Sequence, residues 1–189
     1  MEKFTLINRS AKMAFYLLLS DIIIEMLNDS DKYIVTKEYL NLCWQWINEK
    51  NVEADELYSY LESEKELCVL NFMSSETNVQ RIKAWSCLCY VVGHIALEAY
   101  KFEGAKFVPQ TLECPEDEII EDFLENFKQL YQNSDLADRL LEYLAEHYPA
   151  SNDNEVDIES LRRLVNELNI ISPCCDNIAI STKHDNLAT

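Results

Sequence analysis

Glycine occurs only twice in the 189-residue chain, at Gly93 and Gly104, and proline only four times. All-β folds and phosphate-binding α/β folds need glycine wherever the backbone turns tightly or approaches a ligand closely. A chain with two glycines has few places for such turns. It reads as all-α, with helices joined by short polar connections. At this length a single domain buries roughly 70% of the surface of its unfolded chain, so neither metal nor disulfide is needed to hold it.

Apolar spacing and cap residues locate the helices. A first segment runs from about Asn8 until the Asn-Asp-Ser-Asp cluster at 28–31. Thr36 is placed to cap a second helix that ends near Lys50, and further helices are expected at about 54–62 and 64–73. The segment from Asn78 to about Phe102 is polar between Ala84 and Leu97 only at Ser86 and His94. It therefore reads as the central helix, buried all round. Gly93 inside it points to a close helix crossing, and Gly104 stands where a C-terminal cap belongs. Pro115 opens an acidic helix, Asn133-Ser134 ends it, 135–148 forms the next, and Asp157 caps a last helix. The expected architecture is one domain over 1–171, a bundle of about seven to eight helices around a buried central helix at about 78–102. Residues 172–189 lack helical periodicity and read as a disordered or loosely packed tail.

The net charge of −18 is unevenly spread. Residues 111–150 hold eleven acids against Lys128 and Arg139, a net of −9. Such a chain repels DNA, RNA and anionic lipid, so nucleic-acid and membrane partners are excluded and a basic protein partner is expected. The seven cysteines are odd in number and mostly lie in apolar helical patterns, as reduced cytoplasmic cysteines do. The apolar run Met13 to Leu19 is followed by Ser20 and Asp21 without a cleavage-site pattern, so no secretory leader is expected, and 84–97 is too short to span a bilayer. The expected compartment is the cytoplasm.

The acids of "PEDEIIEDFLENF" at 115–127 are ordered in space. Glu118, Glu121, Asp122 and Glu125 fall at i, i+3, i+4 and i+7 and share one helical face, with Ile119, Ile120, Phe123, Leu124 and Phe127 opposite. Asp135, Asp138, Glu142 and Glu146 make a second stripe on the following helix. Successive helices joined by a short turn are expected to be antiparallel neighbours, which would pool the stripes into one carboxylate ridge. Exposed helices ordinarily mix signs, and here the compensating cations are nearly missing, so the eight carboxylates are the candidate partner-binding residues.

Other candidates point away from catalysis. His94 and Glu98 stand i, i+4 on the central helix, a spacing open to a metal pair or a base with its orienting carboxylate, but no further ligand accompanies them. They read as a core histidine paired with a glutamate. Cys87-Leu-Cys89 and Cys174-Cys175 lack zinc spacing, and no glycine-rich phosphate loop or Gly-x-Ser-x-Gly occurs. No catalytic residue, cofactor or metal site is therefore assigned. Trp44 and Trp46 lie about 200° apart around a helix, so one of them is expected to be partly exposed.

The aromatic "CWQWINEK" at 43–50 and "KAWSCLCYVVGHIALEAYKFEG" at 83–104, with the length and acidity of the chain, resemble the all-α immunity proteins of bacterial polymorphic toxin systems. The resemblance covers about residues 5–148 and carries over no individual functional residue. It implies a non-enzymatic inhibitor that binds a cognate, basic, nuclease-like toxin domain, here through the acidic helices. Two other readings stay open: an acidic adaptor for a basic peptide or subunit, and a helical hydrolase centred on His94 and Glu98.

Overall fold

The computed structural model describes residues 2–63, 67–113, 116–131 and 135–171. Among them are nine α-helices and no strands: α1 (Glu2–Thr5), α2 (Arg9–Ile23), α3 (Tyr33–Glu49), α4 (Ala54–Leu61), α5 (Val69–Ser75), α6 (Val79–Phe102), α7 (Glu116–Leu130), α8 (Leu136–His147) and α9 (Ile158–Ile171). The all-α expectation holds. The short α1 is additional to the helices read from the sequence. The tail at 172–189, Cys114, Pro115, Asn133-Ser134, Cys174 and Cys175 lie outside the described residues.

Several helix ends follow from single side chains. The Asn8 carboxamide accepts the Ala11 amide at 2.8 Å and starts α2. Asn78 accepts the amides of Gln80 (2.9 Å) and Arg81 (3.2 Å) and starts α6. Asp157 accepts the amide of Ser160 at 3.1 Å ahead of α9. Gly104 closes α6 with φ +68°, and the Ala105 amide donates back to the Tyr100 carbonyl at 3.0 Å. That is the left-handed cap for which glycine carries no Cβ penalty. Replacing Asn78 with alanine removes two amide acceptors, and urea unfolding is expected to show a loss of about 1 kcal/mol. Thr36 differs from its expected role. It sits one turn inside α3, and its hydroxyl donates to the Lys32 carbonyl at 2.8 Å rather than capping.

The core gathers around α6, against which α2, α3, α4, α5 and α7 all pack. Phe4, Phe15, Tyr16, Trp46, Trp85, Phe123 and Phe127 are all fully buried. Phe4, Phe15 and Tyr16 meet edge to face, with centroids 5.4–6.0 Å apart. Trp44 and Trp46 are both buried, at 4% and 1% exposure, which corrects the expectation that one would be partly exposed. They do point apart, but α3 is covered on both sides. The Trp44 indole donates to Asp21 under the Arg162 guanidinium, while Trp46 meets Phe102 and the Lys50 ammonium.

Two further expectations need correction. The central helix is not buried all round: Ser86, Tyr90, Gly93 and Leu97, at i, i+4, i+7 and i+11, form a half-exposed stripe. α4 and α7 flank α6 without closing over that line. Nor do α7 and α8 pack as antiparallel neighbours: α7 lies on α6 and α2, whereas α8 lies on α1, α2 and α9. The N-terminal segment holds the end of α8. Ile7 bridges Pro149, the Asn8 amide donates to Tyr148 O at 2.9 Å, and the Ala150 amide donates to Leu6 O at 2.7 Å.

Candidate partner-binding surface

α7 is strongly two-faced. Ile120, Phe123, Leu124, Phe127 and Leu130 are buried. Phe123 meets Tyr16 of α2 edge to face at 5.0 Å, and its carbonyl accepts the Cys87 thiol of α6. The core side thus fixes how the helix is rotated, and the acids must point outward. Glu118, Glu121, Asp122 and Glu125 are all exposed. In α8, Leu136, Ala137, Leu140, Leu141 and Leu144 are buried, and Asp135, Asp138, Glu142 and Glu146 are exposed.

The acids differ in how far they are compensated. Lys3 pairs with Glu142 and holds its carboxyl below the ordinary range. Lys128, in the last turn of α7, reaches Asp138 at 3.7 Å and is the contact that joins the two stripes. Asp122 accepts the Tyr90 hydroxyl at 3.0 Å, and Glu125 accepts the Gln129 amide at 3.0 Å. Among the described residues, Glu118, Glu121, Glu125, Asp135 and Glu146 form no ion pair. Exposed ion pairs are screened by solvent and contribute little, so the pairs of Asp138 and Glu142 open at little cost.

His94 and Glu98 are both buried, at 6% and 4% exposure, but no hydrogen bond joins them. Glu98 is instead claimed by Arg9, whose Nε meets the carboxylate and whose Nη2 donates to the Glu98 carbonyl at 3.0 Å, and by Lys101 at 2.7 Å. The expected His–Glu pair is therefore corrected to a carboxylate held by two cations. Burial lowers the His94 pKa to about 4. Its ring packs on Tyr16 with centroids 5.0 Å apart. With Arg9, Lys12, Glu98, Lys101 and Glu116 it lines a polar cleft of about 410 Å³ between α2 and α6. Among the described residues no group of three or more His, Cys, Asp or Glu is arranged to hold a metal ion. Burial raises the thiol pKa of Cys43 and Cys89 to about 12 and that of Cys87 further, so these thiols stay protonated.

A family model described as Immunity protein Imm6 matches residues 11–130, more than half of the chain. The chain belongs to the Imm6 family of immunity proteins. No curated protein and no solved structure matches it. The Imm6 match runs from α2 to the end of α7. It therefore takes in Glu118, Glu121, Asp122 and Glu125 and leaves out Asp135, Asp138, Glu142 and Glu146. Membership in an immunity family points to a binding rather than a catalytic role. No described helix of this Imm6 member is long and apolar enough to cross a membrane.

Sequence reasoning missed two concave features of this Imm6 fold. One is the polar cleft around Glu98, whose partner Arg9 lies 89 residues away. The other is an apolar pocket along the half-exposed stripe of α6. Its signal was Gly93 standing in line with Tyr90 and Leu97.

Proposed function

We propose that the chain is an immunity protein that neutralises a cognate toxin domain of basic, nuclease-like character through its acidic helical surface. Family membership supports the immunity role. The observation that carries the choice of surface is the exposure, without cationic partners, of Glu118, Glu121 and Glu125 on a helix whose other face is locked into the core. Asp122 stands beside them, and Asp135, Asp138, Glu142 and Glu146 extend the negative surface along α8.

The mechanism is electrostatic at long range and steric at contact. A domain that cleaves nucleic acid binds phosphate in a basic cleft. A helix presenting carboxylates at successive turns occupies that cleft and excludes the substrate. Opposite charge steers encounter toward about 10⁸–10⁹ M⁻¹s⁻¹ at low salt. Like-charge repulsion along α7 also favours association, because a cationic partner relieves it. The reduced thiols at Cys43, Cys68, Cys87 and Cys89 suit action in the cytoplasm.

The test is stopped-flow binding of the double variant Glu121→Lys, Asp122→Lys to the toxin domain encoded beside the chain's gene. Both side chains are exposed, so thermal unfolding is expected to stay close to wild type. Association is expected to slow about tenfold or more at low salt, with the difference shrinking as salt is added. Unchanged association at low salt would remove the acidic helices from the docking surface.

A further inference from the structure

The half-exposed line of α6 opens into an apolar pocket. Gly93, Leu97 and Cys89 line it from α6, Leu61 from α4, Leu112 from the 3₁₀ turn at 110–112, and Ile119 from the acidic helix α7. Its volume is about 150 Å³. No lysine or arginine is among its lining residues, and His94, which also borders it, is neutral near pH 7 because burial holds its pKa at about 4. A volume of this order holds a benzene-sized body, and most of the lining offers water no hydrogen-bond partner.

The mouth has the opposite character. Two polar lining residues, Tyr90 and Thr111, each hold a carboxylate at the rim: Tyr90 donates to Asp122 at 3.0 Å, and Thr111 donates to Glu62. Glu118 and Glu121, next in sequence to Ile119 and Asp122, are exposed on the outer face of α7. An apolar hollow with carboxylates hydrogen-bonded to the polar residues of its mouth has the layout of a protein–protein hot spot, an apolar centre with a polar rim. It is a poor small-molecule site. The volume is below the roughly 300 Å³ at which such sites begin, and few polar groups converge inside to orient a ligand.

We infer that this pocket receives one apolar side chain, leucine- to phenylalanine-sized, from the basic face of the cognate toxin domain. The inference rests on the reading that a basic toxin domain docks on the acidic side of the molecule, and it adds where that complex is anchored. The division of labour is physical. The carboxylates govern how fast the partner arrives, and the filled pocket governs how long it stays.

Gly93 makes the assignment testable. A Cβ at this position would stand 3.3 Å from Leu61 Cδ2 and 3.6 Å from Leu112 Cδ2, so it raises the pocket floor while crowding only the ends of flexible side chains. Alanine is also the better helix former, so Gly93→Ala is expected to fold. Leu97→Phe narrows the pocket from a half-exposed position and serves as a second variant. In stopped flow with the cognate toxin domain, both variants are expected to dissociate about tenfold faster with association unchanged, while Glu121→Lys, Asp122→Lys slows association about tenfold or more at low salt. Unchanged dissociation in both pocket variants, with slowed association in the charge variant, overturns the pocket and leaves the acidic docking surface standing. Faster dissociation in the pocket variants with unaltered association in the charge variant supports the pocket and overturns the acidic surface. Contacts seen by NMR between the Gly93 amide and residues 172–189 in the free full-length chain would give the pocket to the chain's own tail, and overturn the inference.

Discussion

Truncating Phe123 to alanine is expected to cost about 3–5 kcal/mol of folding stability. Phe123 is fully buried and is the aromatic link from the acidic helix to the rest of the core. Its ring stands at 90° to Tyr16 on α2, and it lies nearly parallel to Phe127 with centroids 6.4 Å apart. Three elements meet there, so no single neighbour can move in to fill the space. The cost then includes a residual cavity as well as the lost transfer energy. A domain of this size holds only about 5–15 kcal/mol in total, so the melting temperature should fall by roughly 10 °C. Glu121→Ala, two residues away on the outer face, is the control. It removes one of a row of like charges and is expected to change stability by less than about 0.5 kcal/mol. Urea unfolding of both variants decides the matter. A Phe123→Ala loss below about 1 kcal/mol would mean that α7 is attached to the core more loosely than its buried face indicates, and a loosely attached helix cannot present an ordered carboxylate surface.

The contrast between Phe123 and Glu121 also shows which parts of the structure were legible in the sequence. The separation of acids from apolar residues over 116–130 is local information, and α7 carries it out: its inner and outer faces are as the spacing requires. Asn8, Asn78, Asp157 and Gly104 were legible for the same reason, since a cap bonds backbone within about one turn of itself. Thr36 was not, because a threonine hydroxyl can instead bond back to the carbonyl four residues earlier, and composition does not choose between the two. What failed lay farther along the chain. The spacing of His94 and Glu98 gives no sign that Arg9 takes the carboxylate. The small number of residues between α7 and α8 in sequence gives no sign that Ile7 and Pro149 bridge and hold the end of α8 against the N-terminal segment. The α6 stripe failed for a related reason. Apolar composition measures how much surface wants cover, whereas the neighbouring elements decide which line is left open. That line passes through Gly93: the position expected to mark a close helix crossing is the floor of a pocket, where a Cβ would meet only the side-chain ends of Leu61 and Leu112.

The second large effect is on the pH dependence of stability, and it isolates His94. In the unfolded chain an imidazole titrates near about 6.5. In the fold burial lowers the pKa to about 4; Glu116 opposes the shift, while Lys101, Lys12 and Arg9 add to it. Between these values the unfolded chain binds a proton that the folded chain does not. The contribution of His94 is therefore complete above about pH 6.5 and is lost as the pH falls toward about 4, to a total of about 3 kcal/mol. Asp21 works in the other direction. Burial raises its carboxyl to about 6 against the pull of Arg162 and the Trp44 indole, so its contribution is present at low pH and is lost as the pH rises through about 6. Its side chain is 39% exposed, and solvent screening makes its share the smaller. Comparing wild type with His94→Gln cancels Asp21 and the other groups that do not interact with His94. Between about pH 7 and about pH 4.5, urea midpoints are expected to show wild type losing roughly 2 kcal/mol more than the variant. His94→Gln lowers stability at pH 7 as well, through the lost contact with Tyr16, but that offset is common to both pH values and drops out of the comparison. Equal losses in the two proteins would mean that the His94 ring takes up a proton at no cost. The space between α2 and α6 would then be solvated, and the pocket beside it would lose the uncharged wall that lets it accept an apolar side chain.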